Sequence, residues 1–320
     1  MKFTLKQLSI AAMALSLTAC SSSTASTTTS TADADASASA STWVYDGVGY
    51  DALYEDLGKA DIDLSNADGE LKEIIDAGVI TMATSPDFPP SEFVDDEGNV
   101  KGSDILLGKY IANSLGVELE VETMDFNAVL TAVDTGKVNL GISGFGYKED
   151  RAEQFELSIG YEANSAASHH TLLVRTEDVD KYNSLEDFAG TTIDAQANSL
   201  QEMYVTDQIP DADLQLVSTL DIALQELISG KVDAVALPST TAKNYAAATD
   251  GLTSLYEVKD IEFDLSQYAE TSGNVVAAKK GETSLINAIN EIITQMMDEG
   301  LYTDMYYAAC DAAGVTPSEE

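Results

Sequence analysis

The stretch Leu130-Thr131-Ala132-Val133-Asp134-Thr135-Gly136-Lys137-Val138-Asn139-Leu140-Gly141-Ile142-Ser143-Gly144-Phe145-Gly146-Tyr147-Lys148-Glu149-Asp150-Arg151 decides how this chain folds. Val129 to Asp134 has helical spacing and stops at Gly136, and the apolar run Val138 to Ile142 reads as a strand. Gly141, Gly144 and Gly146 follow within six positions, so a ligand can approach a backbone that carries no Cβ. Glu149 and Asp150 suit the first turn of a new helix, where the macrodipole favours negative charge. Arg151 then offers a planar, permanently charged fork, the side chain best shaped to hold a carboxylate. Together these residues read as half of an anion-binding crevice.

The same pattern returns downstream. Leu224-Gln225-Glu226-Leu227-Ile228-Ser229-Gly230-Lys231-Val232-Asp233 repeats the helix, glycine stop, lysine and strand. Around the two copies, strands and helices alternate: Leu71 to Ala77 is helical, and Val79 to Thr84 is a strand. Ile105 to Leu115 is an amphipathic helix stopped by Gly116, followed by the strand Val117 to Val121. Alternation of this kind implies parallel sheets covered by helices, with ligands bound beyond the carboxyl ends of the strands. The roughly 250 residues involved are long for one α/β sheet and comfortable for two lobes. In the second lobe Thr191 to Gln196 reads as a strand, and Ser199 with Glu202 forms a capping-box signature. The helix start at Asn198 and Ser199 therefore either caps itself or presents free N–H groups to an anion held by Arg151.

The ends of the chain carry a different message. Lys2 and Lys6 precede an apolar run from Leu8 to Ala19 that is too short to span a bilayer, so residues 1–19 read as a signal peptide. The run ends in Leu17-Thr18-Ala19-Cys20, which resembles a bacterial lipobox and by that resemblance makes Cys20 the lipidated N-terminus. Residues 20–42 are nearly all Ser, Thr, Ala and Asp and read as a disordered spacer. Residues 43–69 hold the only Trp and several tyrosines and read as a short helix packed on the domain, with no functional signal. Sixteen Lys+Arg against 55 Asp+Glu give a net charge of −39, which excludes nucleic acid and electrostatic docking on anionic lipid as partners. Cys310 has no cysteine partner in the folded part and reads as a small core residue. His169 and His170 lack neighbouring acids or cysteines at metal spacing, so no metal site and no cofactor are expected.

In order and spacing, the motifs resemble the polar amino-acid-type solute-binding lipoproteins of ABC importers (periplasmic binding protein type II) over Leu71 to Ala309. The resemblance rests on Thr84-Ser85-Pro86-Asp87-Phe88-Pro89-Pro90-Ser91-Glu92-Phe93, Gly102-Ser103-Asp104, Met124-Asp125-Phe126, Gly136-Lys137-Val138 and Lys148-Glu149-Asp150-Arg151. It continues through Ser184 to Gly190, Gly230 to Val235 and Lys279-Lys280-Gly281. It implies two α/β lobes joined by two crossing strands, near Tyr161 to Ala166 and Gln267 to Ser272. Lobe one would be residues 70–165 with a return segment at 269–312, lobe two 166–268, and 313–320 a tail. It also implies that Arg151 clamps a ligand carboxylate, assisted by the backbone of Gly144 and Gly146. Phe88 and Phe126 would wall the ligand's side chain, Ser85 and Gln196 would line the crevice, and Asn198 and Ser199 would complete it on closure.

Several positions depart from that family pattern. Gly146 stands where many relatives carry a hydroxyl. Pro238 stands where amino-acid binders usually carry an acid for the α-ammonium, and Asp87, Glu92 and Ser239 are the available substitutes. Ser85 replaces an acid common in binders of basic amino acids. The carboxylate half of recognition is thus clearer than the ammonium half. The implied function is a non-enzymatic, monomeric binding protein, lipid-anchored on the outer face of the cytoplasmic membrane and serving an ABC permease. The alternatives are a cyclic-carboxylate dehydratase on the same fold, or a surface adhesion or signalling lipoprotein that has lost transport.

Overall fold

The computed structural model describes residues 47–161, 169–266, 268 and 273–317. The expected signal peptide, lipidated Cys20 and spacer lie outside the described residues, as do the two expected crossing strands apart from Tyr161 and Tyr268. The first part of the chain forms α1 (Tyr50–Glu55), α2 (Gly69–Ala77), β1 (Val79–Thr84), β2 (Asp87–Phe88), β3 (Glu92–Val94), β4 (Val100–Lys101) and α3 (Ser103–Leu115). There follow β5 (Glu118–Thr123), α4 (Phe126–Asp134), β6 (Leu140–Gly141), α5 (Glu149–Gln154) and β7 (Phe155–Leu157). The middle part gives β8 (His170–Arg175), β9 (Thr192–Gln196), α6 (Leu200–Gln208), β10 (Asp213–Val217), α7 (Leu220–Ser229) and β11 (Ala234–Pro238). It closes with α8 (Ser239–Ala248), β12 (Leu252–Ser254) and α9 (Leu255–Lys259), and the chain then returns as β13 (Ala277–Lys279), α10 (Thr283–Asp298) and α11 (Leu301–Ala313).

The sequence echo has a direct structural counterpart in two five-stranded sheets. One has the order β5-β1-β6-β13-β7 and the other β10-β9-β11-β8-β12, with a small three-stranded sheet β2-β3-β4 beside the first. In each, the second strand (β1 or β9) has parallel neighbours on both sides. Each is then extended by antiparallel pairing, through β13 or β8. The two echoed helices, α4 and α7, each feed the central strand of their sheet, β6 and β11. Alternation along β8 sends Leu172 and Val174 into one apolar cluster and Leu173 into another, so both faces of that sheet are covered. In the first sheet Ile80 and Met82 pack with Ile111, Ile289 and Met296 on one face, while Ala83 joins Val129, Val133 and Phe145 on the other.

Residues 47–69 are an integral part of the first lobe. Tyr50 is buried, and its hydroxyl donates to the Gly102 carbonyl (3.1 Å) and accepts from the Gly102 N–H (3.0 Å). Gly102 has φ +139°, and a Cβ there would meet the Ser91 carbonyl oxygen at 2.0 Å, so only glycine fits this turn. Ala60 donates to Ser114 Oγ (2.9 Å), fastening the segment to the end of α3. Tyr50→Phe keeps the ring and leaves both Gly102 groups without their hydroxyl partner. It is expected to cost about 1–3 kcal/mol, read as a fall in the thermal midpoint of several degrees. Cys310 is buried in α11, where burial pushes its thiol up to about 12, consistent with a core residue.

Candidate functional site

Four strands end at one crevice. β1 runs into the turn Ser85 to Phe88, β6 into the glycine turn before α5, β9 into α6, and β11 into α8. The contacts across the crevice are specific. Within the first lobe a Cβ on Gly144 would sit 3.3 Å from the Phe88 ring, and across the crevice one on Gly146 would sit 2.4 Å from Leu200 Cδ1. Phe88 packs onto the second lobe's cluster containing Leu173, Leu220, Leu237 and Tyr245. Phe126 opens α4 and tilts against Phe145 at 4.7 Å between centroids.

Arg151 sits on the first turn of α5 and is 4% exposed. One terminal nitrogen donates to the Gly146 carbonyl and the other to the Asn198 carbonyl of the opposite lobe (2.8 Å), with the guanidinium 5.0 Å from the Phe145 ring centroid. Burial lowers its pKa to about 10, against a smaller opposing effect of Asp150. That neighbour's carboxylate is turned to the Arg151 backbone N–H (2.8 Å). Among the described residues no carboxylate lies within ion-pair distance of the guanidinium. A desolvated cation is thus held by two carbonyl dipoles and an aromatic face, with no ion pair among the described residues.

Beneath the glycine turn lie two acids, Glu92 and Asp104, whose burial and pairing had no signal in the sequence. Asp104 accepts from the Gly144 N–H (2.8 Å) and from the Tyr161 hydroxyl (3.1 Å). Glu92 accepts from Ser143 Oγ (3.0 Å), and Ser143 Oγ accepts in turn from the Ser85 N–H (3.0 Å). Burial and the neighbouring Asp104 push Glu92 well above the usual carboxylate range, and burial pushes Asp104 up to about 6. The pair therefore shares a proton, which satisfies a Glu92 oxygen that takes no donor among the described residues. Two expectations change. The Gly144 N–H points inward to Asp104, so only its remaining backbone faces the crevice. Glu92 is 1% exposed, and burial with Asp104 beside it favours its neutral form, which argues against it as an ammonium partner.

On the second lobe, Asn198 takes the left-handed conformation at φ +65°, and Ser199 Oγ accepts from Glu202 N (3.1 Å). The Glu202 carboxylate closes the box on Asn198 N (2.5 Å) rather than on Ser199. The Asn198 side chain donates to Asn127 of the first lobe. Gln196 donates to Asp87 (3.1 Å) and to the Ser218 carbonyl (3.2 Å). Ser85 is buried and donates to Asp87 (3.0 Å), so it acts through that residue and not as an exposed wall. Pro238 ends β11 opposite His170, whose buried ring is pushed down to about 4 by desolvation and is therefore neutral, beside Gln201 (2.8 Å). His169 stacks on Tyr256 instead and contacts Glu262, so the two histidines serve different surroundings. Ser239 is buried at the start of α8, its N–H on the His169 carbonyl (2.8 Å). Of the three substitute groups, Asp87 alone joins the two lobes; its cross-lobe role had no signal in the sequence, because its partners lie 109 to 158 positions away.

Comparison with known proteins agrees with this architecture. The family model of bacterial extracellular solute-binding proteins, family 3, matches residues 80–308. The arginine-binding extracellular protein ArtP of Bacillus subtilis is 30% identical over 227 residues, covering 69% of this chain and 82% of ArtP. An amino acid ABC transporter substrate-binding protein from Streptococcus pneumoniae, solved bound to L-arginine, superposes with a TM-score of 0.68 at 31% identity, covering 78% of this chain and all of that one. The ancestral amino-acid-binding protein AncCDT-1, a precursor of cyclohexadienyl dehydratase, superposes at 0.65 with 26% identity, covering 75% and 98%. With two sheets of matching topology and a family match across both lobes, this chain belongs to the bacterial extracellular solute-binding proteins, family 3.

Proposed function

We propose that the protein is the extracytoplasmic component of an ABC importer and captures a small amino acid or related carboxylate between its lobes for a membrane permease. The observation that carries this reading is Arg151, a buried guanidinium between Gly146 and Asn198 with no carboxylate partner among the described residues. A ligand carboxylate takes up the fork and compensates a buried charge that has no ion-pair partner among the described residues. Phe88 and Phe126 flank the ligand's remaining part, Gln196 and Ser85 act through Asp87, and the helix start at Asn198 and Ser199 meets the carboxylate from the second lobe. Pro238 offers no charge, which places any cationic group of the ligand elsewhere in the crevice. Binding proceeds without covalent chemistry. Residues 1–19 direct export, and Cys20 carries the lipid that holds a monomer at the outer face of the cytoplasmic membrane.

A thermal-shift screen of the protein starting after Cys20 tests the reading. Its library holds the amino acids, their decarboxylated amines, and their deaminated or acylated acids. A ligand at a hundredfold excess over its Kd stabilises by about 2.7 kcal/mol, a shift of roughly 5–10 °C for a domain of this size. Carboxylates are expected to shift the melt and the amines are not. A shift by the amines alone, or by nothing in the library, overturns the proposal.

A further inference from the structure

Asp87 makes an unusual set of contacts for a residue on a two-residue strand. Its Oδ2 accepts from the Leu220 N–H (2.8 Å) and from Gln196 Nε2 (3.1 Å), and its backbone carbonyl accepts from the Tyr245 hydroxyl (3.0 Å). All three donors belong to the second lobe, from α7, β9 and α8. On its own lobe Asp87 is braced by Ser85, whose hydroxyl donates to Oδ1 (3.0 Å) and whose carbonyl accepts the Asp87 N–H (2.8 Å). Leu220 opens a ten-residue helix, where backbone N–H groups have no intrahelical acceptor and the dipole favours negative charge. Thr219, the residue before it, makes no side-chain cap, so the acceptor for this helix start comes from the other lobe.

We propose that Asp87 is a positioning residue that latches the first lobe onto the start of α7 and holds the crevice shut independently of any solute. The next residue, Phe88, is drawn with it into the second lobe's apolar cluster, between Gly144 and Leu220. The latch thereby sets where the aromatic wall of the crevice stands. Closure in this protein has a component supplied by the chain itself, in addition to what a ligand contributes through Arg151. Three second-lobe donors converging on one residue distinguish this contact from incidental cleft packing, in which polar partners come singly.

Amide-resolved hydrogen exchange on the unliganded full chain tests the latch, with no solute present, so its outcome is separate from that of the ligand screen. The Leu220 amide has no acceptor inside its own helix, so its protection reports the Asp87 contact. It is expected to exchange at least tenfold faster in Asp87→Ala than in wild type. The Gly144 amide, held within the first lobe by Asp104, is expected to keep its rate, and solution X-ray scattering should show a larger radius of gyration for the variant. The double variant Gln196→Ala, Tyr245→Phe removes two of the donors from the other side and should move Leu220 in the same direction. Equal Leu220 rates in wild type and Asp87→Ala overturn the proposal. So does faster exchange at Gly144 in step with Leu220, which would mean that the first-lobe turn itself has loosened.

Discussion

Arg151→Met is expected to lower affinity for a carboxylate ligand by a hundredfold or more while the unliganded fold survives with little change in stability. The two halves of this result have different physical origins. Removing one partner of a desolvated, hydrogen-bonded charge pair costs about 3–5 kcal/mol, or roughly a hundred- to several-thousand-fold in Kd. Without ligand the balance differs. Burial holds the guanidinium's pKa at about 10 instead of 12.5, which corresponds to a penalty of about 3 kcal/mol for keeping it charged inside the protein. Methionine removes that penalty and also the contacts to the Gly146 and Asn198 carbonyls, worth about 1.5–3 kcal/mol each. The terms offset, so the melting midpoint should stay within a few degrees while titration calorimetry shows binding lost. Arg151→Lys retains the charge without the planar fork and should fall between the two. An Arg151→Met protein that melts normally and binds as tightly as wild type would remove this residue from the site.

Legibility along the chain followed the range of the interactions. The echoed units around Gly136 and Gly230 were readable because helix spacing, a left-handed glycine stop and a following strand are all local. The capping box at Ser199 was readable for the same reason, although its reciprocal arm reaches Asn198. Arg151 stood out by chemistry, as a fork at a glycine turn. What stayed hidden depends on contacts between distant segments. The inward turn of the Gly144 N–H is dictated by Asp104, forty residues earlier, and the Ser85 N–H is held by Ser143, 58 residues later. Nothing local distinguishes Glu92 and Asp104 from the many surface acids of a chain with charge −39; only the fold removes them from water. The segment before Gly69 had no readable role because Tyr50 finds its partner 52 residues downstream.

Those two acids give the second large effect. Asp104→Ala is expected to destabilise the domain by about 3–6 kcal/mol, since it leaves the Gly144 N–H, the Tyr161 hydroxyl and the Glu92 carboxyl without their shared partner, each worth about 1–3 kcal/mol when buried and unpaired. The pair should also write a sign into the pH profile. Asp104 titrates at about 6 in the fold and at 3.8 as a free side chain. Below pH 4 both states are protonated and its stabilising contribution is complete. As pH rises toward 6 the unfolded chain gives up its proton while the native pair keeps it, and about 3 kcal/mol is lost across that window. Glu92, raised further, extends the loss to higher pH, and Asp194, pushed up to about 7 by burial and Glu226, acts in the same direction. His170 opposes them: pushed down to about 4, it makes the native state resist protonation that the unfolded chain accepts, so its contribution is lost as pH falls below about 6.5. The raised carboxyls outweigh one depressed imidazole, and denaturant titrations should show stability declining from about pH 4 to about pH 7. Glu92→Gln separates the pair from the chain's general acidity. Its amide donates to Asp104 as the protonated acid does, and its oxygen still accepts from Ser143. The variant should therefore match or exceed wild type at pH 8 and show a shallower slope, whereas an unchanged slope would mean that the decline comes from surface repulsion.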